Sequence, residues 1–180
     1  MTIYIALLRG INVGGHNKIK MADLKSLLES MGLNSVKTYI QSGNVLFESD
    51  EQEDLLRERI EQEIIGGFGL SVPVILRKAM ELEQIIKDCP FKAENLPEGE
   101  SLHISFLAEA PSQDAISHVL AYKSDFEECE IKGKEVYLIL RQGVRNSKLL
   151  IQLQKVEVQG TLRNWKTVNK LAELAKVLRD

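Results

Sequence analysis

The 180-residue sequence predicts an α+β protein made of two ferredoxin-like (βαββαβ-type) subdomains with antiparallel sheets. Three observations carry that expectation. Apolar runs of strand length alternate with amphipathic stretches of helical period. Each half holds one hairpin signal between two helical patterns. The order then starts again after a Pro/Gly-punctuated segment, "CPFKAENLPEGES".

The first half opens with "TIYIALL", an apolar run ending at Arg9-Gly10. Met21, Leu24, Leu27, Leu28 and Met31 recur at helical spacing, and Gly32 stands where a helix C-terminus favours a left-handed residue. "SVKTYIQ" and "NVLFES" alternate around Ser42-Gly43 as a β-hairpin. Leu55, Leu56, Ile60 and Ile64 mark a second helix stopped by "GGFG", "VPVILR" is a fourth strand, and "KAMELEQIIKD" a connecting helix. In the second half, "LHISFLA" is a strand and "SQDAISHVLA" a helix opened by Ser112. "ECEIKGKEVYLIL" is a hairpin turning at Lys132-Gly133, "SKLLIQLQKV" a helix, and "VEVQGTLR" a short strand. "NWKTVNKLAELAKVL" closes the chain as a helix with Asn164 as N-cap and Trp165, Val168, Leu171, Ala175 and Leu178 as its buried stripe. The expected subdomains are residues 1–88, including the connecting helix, and 101–180, joined by a linker over 89–100.

Composition narrows the function classes. Hydrophobic residues at 44% and charged residues at 27% are ordinary for a globular protein. "MTIYIALLRGI" has neither a basic leader nor a membrane-length apolar run. Cys89 and Cys129 lie far apart without C-x-x-C spacing, so a reduced cytoplasmic protein is expected. His16, His103 and His118 form no H-x-x-x-H pair, and no metal site is expected. The net charge of −3 is unevenly spread: residues 1–45 carry +3, residues 46–140 carry −12 and residues 141–180 carry +6. A globally acidic chain with two basic segments suits a confined anionic ligand better than bulk nucleic-acid coating.

The basic segments hold the candidate residues. "GINVGGHN" has the outline of a Walker A loop, but His16 and Asn17 stand where that loop needs lysine and a hydroxyl, so nucleoside triphosphate with magnesium is excluded. Its spacing does not fit G-x-G-x-x-G either. What remains is a loop of Asn12, Gly14 and Gly15 flanked by Arg9, Lys18 and Lys20, either an anion-binding loop or a turn. In "TYIQSGNVLF", Ser42 and Asn44 suit turn formation, and the basic-Gly-aromatic order of an RNA-recognition strand is missing. In "RQGVRNSKLL", Ser147 caps a helix whose N-terminus is crowded by Arg141, Arg145 and Lys148, an arrangement that favours an anion there. In "TLRNWKTVNK", Arg163 precedes the cap Asn164. No Ser/His/Asp or Cys/His set is present in readable form, and His16 alone suits an acid/base role.

Set side by side, "ALLRGINVGGHNKIKM", "TYIQSGNVLF", "GVRNSKL" and "TLRNWKTVNKL" resemble, in order and spacing, the bacterial family called domain of unknown function 1697. The resemblance runs from Tyr4 to Ala175 and implies two α+β subdomains, but no activity, substrate or catalytic residue. His16 stands where many members carry lysine. The leading expectation is a cytoplasmic protein holding a small phosphate- or carboxylate-bearing ligand in a cleft between the halves. Arg9, Asn12, Gly14, Gly15, Lys18 and Lys20 would form one wall, and Arg145, Ser147, Lys148, Arg163 and Asn164 the other. The alternatives are RNA or single-stranded nucleic-acid binding through the sheets, and a protein-interaction module. Neither a reaction, a cofactor nor an oligomeric state follows from the residues.

Overall fold

The computed structural model describes residues 1–180. The elements run β1 (Thr2–Leu8), α1 (Met21–Ser30), β2 (Asn34–Tyr39), β3 (Asn44–Ser49), α2 (Glu53–Phe68), β4 (Val74–Lys78) and α3 (Ala79–Lys87). The order then repeats as β5 (Ser101–Leu107), α4 (Gln113–Leu120), β6 (Glu127–Lys132), β7 (Glu135–Leu140), α5 (Lys148–Gln154), β8 (Gly160–Asn164) and α6 (Trp165–Arg179). Both four-stranded sheets are antiparallel, in orders β2-β3-β1-β4 and β6-β7-β5-β8. The predicted α+β class with two βαββαβ repeats is therefore what the chain adopts. By compactness the chain divides into Met1–Gln84 with Lys170–Asp180, and Ile85–Asn169.

In the first unit, Tyr4, Ala6 and Leu8 of β1 share a face with Val45 and Phe47 of β3 and with Leu76 of β4. Onto that face pack Leu24 and Leu28 of α1 and Leu56, Ile60 and Ile64 of α2, the residues that the helical period singles out. Each such fully buried aliphatic side chain contributes about 1.5–3 kcal/mol by transfer from water. Helix α2 stops within "GGFG", as the sequence suggested, at its last glycine. It runs through Gly66 and Gly67 to Phe68 and ends at Gly69, whose φ of 69° is left-handed. A Cβ at Gly67 would lie 3.2 Å from Leu27 Cδ1, so glycine there lets α2 approach α1 closely.

The second unit repeats the plan with Leu107, Val136, Leu138 and Leu140 facing Val119 of α4 and Leu149 of α5. Ser112 caps α4 as predicted, its Oγ accepting the Ala115 N–H at 3.1 Å. In α6, Val168, Leu171 and Ala175 are buried as expected, joined by Ala172, while Trp165 and Leu178 are half-buried. The opposite faces are also shielded from water along β1, β3, β4, β5 and β7, but not along the edge strands β2 and β6. Ile5, Leu7, Leu46 and Ile75, and likewise Leu102, Ile104, Phe106 and Tyr137, are buried. On those faces the repeats share a buried arginine: Arg77 pairs with Ile5 and Arg163 with Ile104. Each Nη1 donates to the carbonyl of the preceding residue at 2.9 Å.

His103 sits on β5 between Leu138 and Asn164, with its Nδ1 buried and without a hydrogen-bond partner. Burial holds its imidazole below the ordinary 6.5. Because the folded value is depressed, the unfolded chain binds more protons just below pH 6.5. The contribution of this group is thus present above that pH and lost as pH falls through the folded value. Urea unfolding between pH 5 and pH 8 is expected to show an acid limb starting near 6.5 that His103→Phe flattens. An unchanged limb would place its origin elsewhere.

Candidate functional site

The loop between β1 and α1 is a small hairpin. The Asn12 N–H donates to Asn17 O at 3.1 Å and the His16 N–H to Val13 O at 2.9 Å. Gly14 and Gly15, at φ 57° and 77°, form the two central positions. Two successive left-handed residues define the hairpin turn whose twist matches antiparallel strands, and glycine adopts it at no steric cost. The glycines are therefore required by the backbone itself, and a Cβ added at Gly15 would meet nothing within 4 Å.

Asn12 clasps this hairpin to the rest of the unit. Its Oδ1 accepts the Ile19 N–H at 2.8 Å. Its Nδ2 donates to Ile19 O at 3.0 Å and to Gln41 O at 2.8 Å. Asn12 itself lies at φ 56°, a conformation asparagine tolerates better than most residues. The second anchor, in the β2–β3 turn, is strained. Ile40 is exposed at φ 49°, unusual for a β-branched residue and costing about 1–3 kcal/mol.

The clasp closes one side of a cavity of about 600 Å³. Lys18, Lys20 and Asp23 line it together with Gly15 and Asn12, while Ile19, Gln41 and Phe68 complete the wall. Lys20 is also the N-cap of α1, and no side chain caps that end. The Asp23 and Leu24 N–H groups both donate to Lys20 O at 3.0 Å, which leaves the first amides of α1 as the orphan donors of any helix start. Partial positive charge, two ammonium groups and an apolar floor meet in one concave place.

The helix end that the sequence marked for an anion, at α5, has one of its own. Glu127 on β6 is buried, and its carboxylate accepts the Ser147 hydroxyl at 2.7 Å, the Lys148 N–H at 2.9 Å and the Leu149 N–H at 3.0 Å. Ser147 Oγ accepts the Leu150 N–H at 3.1 Å. Glu127 lies 20 residues from Ser147, so no local spacing links them. The side chains of Arg145 and Lys148 are exposed. Arg141 pairs with Glu128 at 2.5 Å and with Glu100 at 3.2 Å. Arg163 is buried, its guanidinium lowered to about 10 by burial, and its Nη1 donates to Thr161 Oγ1 at 2.7 Å. Asn164 is the cap of α6, accepting the Thr167 N–H at 2.8 Å.

A second cavity, of about 550 Å³, occupies the corresponding place in the second unit, beside the start of α4 and the segment after α5. Glu109, Glu157, Lys155 and His118 are on its wall. There Ser112 satisfies the helix end, so the feature that makes the first cavity receptive to an anion is absent. Of the residues picked from the sequence, the structure brings Asn12, Gly15, Lys18 and Lys20 together at the first cavity. Reading by motif passes over Asp23, Gln41 and Phe68, which sit on α1, the β2–β3 turn and the last turn of α2. The sequence pattern places Gln41 at the end of the strand "SVKTYIQ", whereas β2 ends at Tyr39 and Gln41 belongs to the turn.

Two stability measurements check these assignments. Asn12→Gly, which keeps the left-handed backbone available, is expected to cost about 1–3 kcal/mol in urea unfolding and to speed amide exchange at Ile19. Glu127→Ala is expected to cost about 2–3 kcal/mol, because it strips a charged acceptor from buried donors, whereas Arg145→Ala stays within about 0.5 kcal/mol. Equal costs for Glu127→Ala and Arg145→Ala would contradict the capping role.

A model of the family described as a protein of unknown function, DUF1697, matches residues 1–137. Among solved structures, a conserved bacterial protein from Streptococcus pneumoniae is 27% identical, with a TM-score of 0.73 over 97% of this chain and 98% of that one. No curated protein matches.

Proposed function

The chain belongs to the DUF1697 family of proteins of unknown function, and for this member we propose the binding of a small anionic ligand, phosphate- or carboxylate-bearing, by a cytoplasmic protein. One observation carries the reading: the cavity of about 600 Å³ where Lys18 and Lys20 stand at an end of α1 that no side chain caps. Small-ligand pockets commonly measure about 300–1,000 Å³ and combine apolar walls with a few convergent polar groups, as this one does. Lys18 and Lys20 supply charge, the start of α1 adds its partial positive potential, and Ile19 and Phe68 supply an apolar surface. The reading leaves Asn12 as the residue that positions the loop, and Ser147, Arg163 and Asn164 to the fold, since their polar atoms meet protein partners. No helix is long and apolar enough to cross a membrane.

The net charge of −3 and an aromatic content of 6% favour a small ligand over a nucleic-acid strand, which needs a broad basic track and stacking platforms. Calorimetric titration with phenyl phosphate, an aryl monophosphate carrying both features the cavity suits, tests the proposal. The expected result is saturable binding that the pair Lys18→Ala and Lys20→Ala weakens at least about tenfold, the effect of losing about 1.5–3 kcal/mol of charge-assisted hydrogen bonding. A mixed-sequence RNA is expected to bind no tighter than about 10⁻⁵ M at physiological salt. No heat with phenyl phosphate, or tight and steeply salt-dependent RNA binding, overturns the reading.

A further inference from the structure

We infer that the ligand of the first-unit cavity is a nucleoside monophosphate, an inference that rests on the anion-site reading above. A phosphate alone would need only the two lysines and the helix end. The cavity offers three further groups of different chemistry, and together they match the remaining parts of a nucleotide. Phe68, half-buried at the end of α2, gives an aromatic surface suited to a base, since every base has a π-face. Gln41 gives an amide with both a donor and an acceptor, the pattern that reads a base edge. Asp23, in the first turn of α1, gives a carboxylate acceptor, the group that holds ribose hydroxyls in dinucleotide-binding folds.

The same residues limit the number of phosphates. Lys18 and Lys20 share the lining with one carboxylate, Asp23, so the lining carries a single net positive charge. The hydroxyl and lysine that would hold magnesium and a β/γ-phosphate are replaced by Asn17 and His16. Asn17 is in addition occupied, its Nδ2 donating to Gly10 O at 3.1 Å. A monophosphate, at about −1.5 to −2 near pH 7, exceeds that charge least among the nucleotides, and each further phosphate widens the mismatch.

Calorimetry of the full chain without magnesium, with AMP, GMP, CMP, UMP, ribose 5-phosphate, phenyl phosphate and 2′,3′-dideoxy-AMP, tests the inference. At least one monophosphate is expected to bind ten times more tightly than ribose 5-phosphate and phenyl phosphate. AMP is expected to bind more tightly than its dideoxy form, and Asp23→Asn to bring the two within twofold of each other with the melting temperature preserved. Phe68→Leu is expected to weaken the nucleotide but not ribose 5-phosphate; if that variant does not fold, the comparison of ligands on the native chain still decides. Should ribose 5-phosphate or phenyl phosphate bind as tightly as every nucleotide, the nucleoside assignment fails while the anion reading stands. Should no phosphate compound bind, both fail.

Discussion

The central strands β1 and β5 are buried on both faces, and much of the molecule follows from that constraint. In β1, Tyr4, Ala6 and Leu8 face the helices while Ile5 and Leu7 are equally shielded on the other side. A strand in that position cannot alternate apolar with polar residues, so "TIYIALL" and "LHISFL" read as near-continuous apolar runs. Several polar groups admitted to these sheets find a backbone carbonyl, whereas His103 Nδ1 does not. Arg77 and Arg163 turn a guanidinium nitrogen back onto the neighbouring carbonyl, and Tyr137 donates its hydroxyl to Ile85 O at 2.6 Å. Burial and the surrounding carboxylates push that phenol well above its ordinary range. With the central strands closed to water on both faces, chemistry with a ligand is left to edges and strand ends, and the clasped loop after β1 is such an end.

Helix termini show one electrostatic rule resolved in different ways. Each start presents amides with nothing inside the helix to accept them, together with partial positive charge. At α4 and α6 a hydroxyl and a side-chain amide do the work, through Ser112 and Asn164. At α5 a carboxylate from a distant strand, Glu127, joins Ser147. At α1 no side chain caps the end, and it adjoins a cavity with two lysines. Lysine beside a positive helix end is an unfavourable placement that Asp23, in the first turn, offsets in part, and an anion in the cavity would offset it further.

The sequence by itself determined the class of fold, the order of elements and most of their boundaries. Those depend on period, on turn residues and on caps, all of them local, which is why Ser112, Gly32, the hairpin at Lys132-Gly133 and the stripe of Val168, Leu171 and Ala175 were readable. The same local logic found the Gly14–Gly15 loop and the two lysines, because unusual composition is visible in a short window. Only the tertiary structure decided what these features do. The use of Gly67 inside α2 answers to Leu27 of another helix, which a Cβ there would crowd. The anion at the start of α5 is Glu127, brought by sheet register from 20 residues away. On the cavity wall, Asn12 bonds to Ile19 and to Gln41, 7 and 29 residues away from it. Hydrogen bonds and charges between remote segments leave no periodic trace in a sequence, so their partners become definite only when the chain has folded.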